Sequence, residues 1–138
     1  MKDAIIITIP SHPKYLSVVR AATGKMGQLC EIDETTIEDI KLAVDEACTN
    51  VIKHAYKGDT SKKINIEYVI SKKGIKVIIE DNGIKAQKDL IRGRSLDDIR
   101  PGGLGIHFIK RVFDIFEFDE KKKNGNRLIL IKHVKVKK

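Results

Sequence analysis

The sequence has little of what several common classes of protein need. Aromatic residues make up 5% of its 138 residues and tryptophan is absent. This argues against a protein that stacks single-stranded bases on aromatic side chains. No apolar run approaches the roughly 20 residues that cross a bilayer, and the N-terminal stretch MKDAIIITIP is too short in apolar residues for a signal peptide. We therefore expect a cytoplasmic protein with no membrane partner.

Cysteine and histidine are also sparse. The two cysteines, Cys30 and Cys48, are too far apart for a CxxC pair, and the four histidines are scattered along the chain. Structural zinc sites need such ligands at short and regular spacings. The sequence thus predicts no zinc site, and its cysteine usage fits a reducing compartment.

What the sequence does contain is enough for one folded domain. It is 41% hydrophobic and 33% charged, which is too apolar for a disordered tail, and its length predicts a single domain over 1–138. The net charge of +8 favours anionic partners without choosing among nucleic acid, membrane and phosphate groups. The charge is uneven, since 31–50 is acidic and 121–138 is basic. A lysine-rich edge strand that resists pairing with other sheets explains the basic end.

Hydrophobic periodicity predicts the element order β-α-α-β-β-loop-α-β-β. Ser11 is expected to cap the first helix, with Pro13 in its first turn. Such an order predicts an α+β fold, in which helices cover one face of a mixed, mostly antiparallel sheet. The predicted segments are strand 4–9, a helix over 11–29, a helix with an apolar stripe over 37–55, strands 63–70 and 75–80, a loop over 81–103, a helix over 104–113, and strands 115–118 and 127–134.

The first of three polar clusters lies on the second predicted helix. Glu46 and Asn50 are four residues apart and project from one face, which Lys53 and His54 continue one turn later. A carboxylate there can act as a general base, and an amide oxygen can help to hold a hard cation such as Mg²⁺. An exposed polar helix face would explain the same residues without any chemistry.

The second cluster, Asp81-Asn82-Gly83, ends a buried strand. A carboxylate there can accept a hydrogen bond from an exocyclic amine, and the glycine lets a flat ring approach the backbone. A plain turn is the alternative, although no matching strand follows directly as a hairpin would require.

The third cluster is a glycine-rich stretch, Gly102-Gly103-Leu104-Gly105, that runs straight into a helix. The free N–H groups of a helix N-terminus favour anions, so the stretch can hold phosphate. Arg100, with Arg92 and Arg94 before it, can reach terminal phosphate oxygens. A glycine-rich loop without function is the alternative for this cluster taken alone.

In this order and at this spacing, the three clusters resemble the N, G1 and G2 boxes of the GHKL ATPase superfamily. The stretches that carry the resemblance are 46–56 (EACTNVIKHAY), 81–83 (DNG) and 102–105 (GGLG). Within the superfamily the sequence is most similar to the small anti-sigma-factor serine kinases of bacteria, over almost the whole chain. The resemblance implies the two-layer Bergerat fold.

The resemblance also implies a site for Mg²⁺ and ATP. Asn50 would coordinate the Mg²⁺ ion that bridges the ATP phosphates, and Glu46 would accept the proton of a serine hydroxyl on a partner protein. Asp81 would bind the adenine amino group, with Gly83 shaping the turn beneath the ring. The other implied nucleotide contacts are Lys53, His54, Arg100, which would reach the γ-phosphate, Gly102, Gly103, Leu104, Gly105 and Asn126.

Two protein partners and a homodimer are implied in the same way. Kinases of this family bind and silence a sigma factor, and they phosphorylate a serine of an anti-anti-sigma protein of the STAS fold. Arg20 stands where a sigma contact is expected, with a solvated helix arginine as the alternative. Direct contact with nucleic acid is not expected.

At two positions the sequence departs from the family pattern. Many members carry Pro-Phe after D-N-G, at the base of a lid that the resemblance implies for 84–101, whereas this chain has Ile-Lys-Ala-Gln. A threonine commonly assists adenine binding after Gly125, where this chain has Asn126. We expect Asn126 to supply a similar polar contact through water.

Sequence reasoning leaves two other functions open. The same fold without kinase activity would be a nucleotide-gated regulatory binding module, but a pure binder does not need the base Glu46. A basic nucleic-acid-binding domain agrees with the net charge, but no helix carries basic residues along one face. We predict a Mg-ATP-dependent serine kinase that is also an anti-sigma factor.

Overall fold

Five strands form one sheet in a computed structural model that describes residues 3–86 and 103–134. The predicted element order is confirmed, apart from the loop, which lies mostly outside those residues. In the described part of the chain no helix is long and apolar enough to cross a membrane. The elements are β1 (Asp3–Pro10), a 3₁₀ turn (Pro13–Tyr15), α1 (Leu16–Leu29), α2 (Glu34–Asn50), a π-helical turn (Val51–Ala55), β2 (Lys63–Ser71), β3 (Gly74–Asp81), α3 (Gly103–Val112), β4 (Ile115–Phe118) and β5 (Asn126–His133).

The strand order in the sheet is β1-β2-β3-β5-β4. Each of the four pairings is antiparallel, so the described sheet is fully antiparallel rather than mixed. The predicted alternation in β2 is present, with Ile64, Ile66 and Tyr68 buried against the helices and Asn65 exposed on the other face. The α+β fold class with helices on one face is confirmed.

The two long helices lie side by side because small residues let them approach. A side chain at Gly27 would press on Ile37, its Cβ only 2.7 Å from Cγ1 of that residue. Gly27 therefore serves the packing of α1 on α2, although it is a weak helix former. Asp33 caps the start of α2, since its carboxylate accepts a hydrogen bond from the N–H of Thr36 at 3.1 Å.

The prediction that Ser11 caps the first helix is wrong. Ser11 is fully buried at the end of β1. Its hydroxyl donates to the carbonyl of Asp59 (2.7 Å) and accepts from the N–H of Lys62 (3.0 Å). The cap of the 3₁₀ turn is His12, whose Nδ1 accepts from the N–H of Lys14. The Ser11 hydroxyl thus satisfies two backbone groups of the distant 59–62 turn instead of the nearby helix start.

Candidate functional site

A cavity of about 460 Å³ lies between the helices and the sheet. The C-terminal end of α2, its π-helical turn, α3 and the ends of β3, β4 and β5 form its walls. The residues that line it are Ala47, Asn50, Val51, Lys53, His54, Ala55, Lys57, Ile79, Asp81, Ile84, Lys85, Ala86, Ile106, Ile109, Phe116, Phe118, Asn126 and Leu128. A member of the first cluster, Asn50, and a member of the second, Asp81, thus face one space, as the sequence predicts.

Asp81 and Asn126 are paired directly across β3 and β5, and both lie on the face that the helices cover. The Nδ2 atom of Asn126 donates to the two carboxylate oxygens of Asp81 at 3.1 and 3.3 Å. The N–H of Gly83 donates to Oδ1 of the same carboxylate at 2.8 Å. The Asp81 side chain is therefore fixed in one orientation, at the end of a buried strand.

Burial governs the electrostatics of Asp81, which is 2% exposed. Loss of water raises the pKa of its carboxyl above the usual range. The N–H of Gly83, the Asn126 amide and the Lys122 ammonium oppose this rise, since each favours the ionised form. The outcome is a carboxylate that has few water neighbours and is shaped to accept hydrogen bonds.

The segment 84–86 continues from Asp81 along the cavity wall and is held at three points. The Nδ2 atom of Asn126 donates to the carbonyl of Ile84 (2.8 Å), and the N–H of Ala86 donates to Oδ1 of Asn126 (2.7 Å). The N–H of Ile84 donates to the carbonyl of Ala55 in the π-helical turn (2.8 Å). A side chain at Gly83 would overlap that same carbonyl, so glycine is required for this close contact.

Tyr56 was not assigned a role by sequence reasoning, yet its hydroxyl joins the turn to two strands. It donates to the carbonyl of Lys63 at 2.6 Å and accepts from the N–H of Asn82 at 2.9 Å. The signal was present in the triplet His54-Ala55-Tyr56, where a tyrosine follows the polar face and ends the helix. Its position beside the D-N-G turn could only come from the fold.

The other end of the cavity is polar and unpaired. Asn50, Lys53 and His54 make no side-chain hydrogen bond or ion pair to another described residue. Asn50 is half-buried, whereas Lys53 and His54 are exposed at the rim. Lys57 adds another ammonium group to the lining. This end of the cavity therefore presents positive charge and amide groups to a ligand.

Glu46 lies one turn before Asn50 and packs against the first turn of α3. A side chain at Gly105 would overlap its carboxylate. Glu46, Gly83 and Gly105 are not among the described residues that line the cavity. The first and third clusters nevertheless meet, because Glu46 of α2 touches Gly105 of α3.

An apolar wall faces the polar groups. Phe116 and Phe118 project from β4 toward the cavity, with ring centroids 5.7 Å apart in an edge-to-face contact. Ile79, Ile109 and Leu128 complete this wall. The alternation of IFEF in β4 was the available signal for these two aromatic residues. The wall can pack against a flat, partly apolar ring.

A magnesium ion fits the residues at the polar end only together with a ligand. In the described ranges no group of three or more His, Cys, Asp or Glu side chains could hold a metal. Mg²⁺ commonly keeps several waters and takes one or two protein oxygens plus the phosphates of its substrate. Asn50 offers such an oxygen at the cavity surface, and Glu46 lies one helical turn away.

The remaining predicted site residues lie in three places. Gly103 and Leu104 begin α3, and Arg100 and Gly102 lie outside the described residues, as does most of the expected lid over 84–101. Arg20 forms an ion pair with Asp45, at 2.8 Å between Nη1 and Oδ1. Its side chain is 43% exposed, so it remains partly accessible to a partner.

Comparison with known proteins identifies the family of the chain. The profile of the histidine kinase-like ATPase domain family matches residues 9–132. The chain belongs to this family. The family resemblance predicted from the three polar clusters is thereby confirmed.

Family members with full-length similarity are named as serine-protein kinases. The chain is 31% identical to the serine-protein kinase RsbW of Listeria monocytogenes, over 99% of this chain and 91% of that protein. It is 30% identical to the RsbW of Bacillus subtilis, over 81% of this chain and 75% of that protein. These relatives place the chain among the serine-protein kinases of the family.

A crystal structure of the RsbU and RsbW domains of a Mycobacterium tuberculosis protein has the same fold. The two superpose with a TM-score of 0.65 at 19% identity, over 94% of this chain and 31% of the longer one. The similarity supports the assignment of the fold.

Proposed function

We propose that the protein is a Mg-ATP-dependent serine protein kinase that also acts as an anti-sigma factor. It would act in the cytoplasm as a single-domain chain that forms a homodimer, and it would not contact nucleic acid directly. The observation that carries the proposal is one cavity with two unlike ends. The base end consists of Asp81, Asn126 and the segment 84–86. The phosphate end consists of Asn50, Lys53 and His54, with Glu46 one helical turn before Asn50.

The base end suits adenine. The amino group of adenine donates hydrogen bonds, and the ionised Asp81 carboxylate can only accept them. The 6-oxo group of guanine is itself an acceptor, so it would face Asp81 with no hydrogen between the two. Phe116 and Phe118 supply apolar surface beside the ring. These properties favour ATP over GTP.

The phosphate end suits a triphosphate with its metal. Lys53 and Lys57 stand at the rim, where their positive charge offsets the charge of phosphate oxygens, and His54 lies beside them. The Asn50 side-chain oxygen would be a ligand for Mg²⁺, which would offset negative charge on the phosphates. Arg100 and 102–105 are proposed to close this end on the sequence pattern alone.

Glu46 is the proposed general base. The serine oxygen of the partner attacks the γ-phosphorus, the bond from that phosphorus to the β–γ bridging oxygen breaks, and ADP leaves. The serine proton passes to the Glu46 carboxylate. Most of the acceleration in such transfers comes from position and charge, with a smaller part from the base. The carboxylate of Glu46 lies against Gly105, so it stands between α2 and the first turn of α3.

The two protein partners are a sigma factor and a STAS-type anti-anti-sigma protein. Relatives named RsbW support partners of this kind. Arg20 is the proposed sigma contact, and it would exchange Asp45 for an acidic group of the partner. An Arg20→Glu substitution should then weaken sigma binding, whereas Lys25→Glu, at an exposed position of the same helix, should change it little.

Calorimetric titration with ATP and with GTP, in Mg²⁺ and then in EDTA, tests the nucleotide site. We expect ATP to bind selectively and to need Mg²⁺. Transfer of phosphate from ATP to a serine of a STAS-type protein tests the kinase. ATP binding without transfer would favour a nucleotide-gated binding module, and absence of ATP binding would exclude both functions.

A further inference from the structure

The side chain of Asn126 has almost no hydrogen-bonding capacity left for a ligand. A side-chain amide has two N–H donors and one carbonyl oxygen that accepts two bonds. One donor is shared between the two Asp81 oxygens, and the other goes to the carbonyl of Ile84. The oxygen accepts from the N–H of Ala86. A nucleotide would find one acceptor position there and no donor.

The hydrogen bonds of the Asn126 amide join the Asp81 carboxylate to the segment 84–86. The Asp81 carboxylate would read the base, and the segment 84–86 forms the wall beside it. Asn126 is 7% exposed, so water competes weakly for these hydrogen bonds. A threonine has a single hydroxyl, which cannot donate to Asp81 and to Ile84 at once while accepting from Ala86 with the same reach.

We propose that Asn126 is a positioning residue for a 6-amino purine. Its amide holds the Asp81 carboxylate as a hydrogen-bond acceptor, which sets the preference for that purine, and it holds the segment 84–86 in place, which raises the affinity. It does so without touching the base. This inference rests on the proposed function, since it concerns how the same cavity reads its nucleotide. It also assigns a use to one of the two departures from the family pattern.

The test compares ATP with inosine triphosphate, which carries a 6-oxo group in place of the 6-amino group. The parent chain should bind ATP at least about tenfold more tightly, because Asp81 can only accept hydrogen bonds. Asn126→Asp keeps the shape but sets a second carboxylate against Asp81. Such a pair shares one proton and can then both donate and accept. The preference for ATP should fall by about tenfold, toward equal binding.

Asn126→Thr separates the bond to Asp81 from the hold on the segment 84–86. One donor to Asp81 remains, so the preference for ATP should persist. The affinity for both nucleotides should fall by a similar factor of about five, because the segment 84–86 is released. Amide hydrogen exchange at Ala86, followed by NMR, should become faster. Asn124→Asp is the matched control, since Asn124 is exposed in the same hairpin and should behave as the parent.

A preference for ATP in Asn126→Asp within twofold of the parent overturns the proposal. If that variant does not fold, as judged by circular dichroism, Asn126→Thr decides the question. Parental affinities together with parental Ala86 exchange in that variant overturn it as well. A parent chain that binds neither nucleotide refutes the proposed function and this inference with it. Selective binding by the parent and by both Asn126 variants refutes the inference alone.

Discussion

At the base end of the cavity, Asp81 and Asn126 are bonded to each other and to the backbone of 83–86, whereas Asn50, Lys53 and His54 at the phosphate end bond to no other described side chain. The base end is rigid before any ligand arrives, and this suits the reading of a flat ring by shape and hydrogen bonds. At the phosphate end these side chains stay free to bind a negatively charged ligand. Substitutions at the base end should therefore alter stability and selectivity, and those at the phosphate end should alter chemistry and leave the fold intact.

The largest effect is expected at Glu46. Replacement by glutamine removes the proposed base but leaves the volume and the contact with Gly105, so phosphoryl transfer should fall by about a thousandfold. ATP affinity and the free energy of unfolding should stay close to those of the parent. Initial rates of phosphate transfer to a STAS-type protein measure this. Glu38→Gln, an exposed change on the same helix where Glu38 pairs with Lys41, is the control. Transfer at the parental rate would refute the assignment.

Asp81→Asn should have the next largest effect, on binding rather than on transfer. The new amide group would present its own N–H atoms to the adenine amino group, so ATP affinity should fall by about a hundredfold. Calorimetry measures the change, with the exposed Asp39→Asn on α2 as the control. An ATP affinity within threefold of the parental value would mean that Asp81 does not read the base.

Tyr56→Phe, which lies next to the base end and bonds to Asn82, and His54→Ala, at the phosphate end, compare the stability of the two regions. The first change leaves the carbonyl of Lys63 and the N–H of Asn82 without a partner, and we expect a loss of about 2 kcal/mol in the free energy of unfolding. The second removes an exposed side chain, and we expect a change within about 0.5 kcal/mol. Urea unfolding followed by circular dichroism measures both. Equal losses in the free energy of unfolding would show that the two ends contribute equally to stability.

The smallest effect is the pH dependence of ATP binding. Only ionised Asp81 accepts the hydrogen bond from adenine, and burial raises its pKa above 3.8. The affinity should be level near neutral pH and fall as the pH falls through that raised pKa. The groups that face the carboxyl are the Asn126 amide, the Tyr56 hydroxyl and the Lys122 ammonium. Asp81→Asn should lack this decline, and an identical decline in that variant would assign it to another group.

The same raised pKa acts on folding with the opposite sign. The folded state holds the Asp81 proton more tightly than the unfolded chain, so this carboxyl contributes stability that is fully present below its ordinary pKa. The contribution is lost as the pH rises through the raised value. A fall in pH through the raised pKa of Asp81 thus stabilises the base end while it weakens ATP binding there.

Sequence patterns predicted most of the fold. Alternation identified β2, and the stripe from Ile37 to Ala55 identified α2 and its extension, because both record which side chains face the core. The predicted role of Ser11 as a helix cap was wrong, because its hydroxyl bonds instead to the turn at 59–62, which is distant in the sequence. A local pattern cannot contain that contact.

The candidate site was predictable in its residue types and not in its connections. Glu46, Asn50 and Asp81 stand in recognisable motifs, and the fold brings them to one region. The hydrogen bonds of Asn126 join residues about 40 positions apart in the chain, so its position in a hairpin suggested only a polar contact. The role of Tyr56 escaped for the same reason, since its partners belong to other elements.

The π-helical turn at Val51–Ala55 has a consequence for how α2 serves both ends of the cavity. The N–H of Tyr56 bonds to the carbonyl of Val51 at 2.9 Å, five residues back instead of four. A regular helix turns by about 100° per residue. The extra residue in the π-helical turn therefore rotates the side chains that follow it by about 100° relative to those before it. Glu46 and Asn50 lie before the offset, while Ala55 and Tyr56 lie after it and contact Ile84 and Asn82. Removal of one residue from the turn would rotate the second pair away and leave the first in place. The groups that contact the base and the groups that contact the phosphates would then no longer face the same nucleotide.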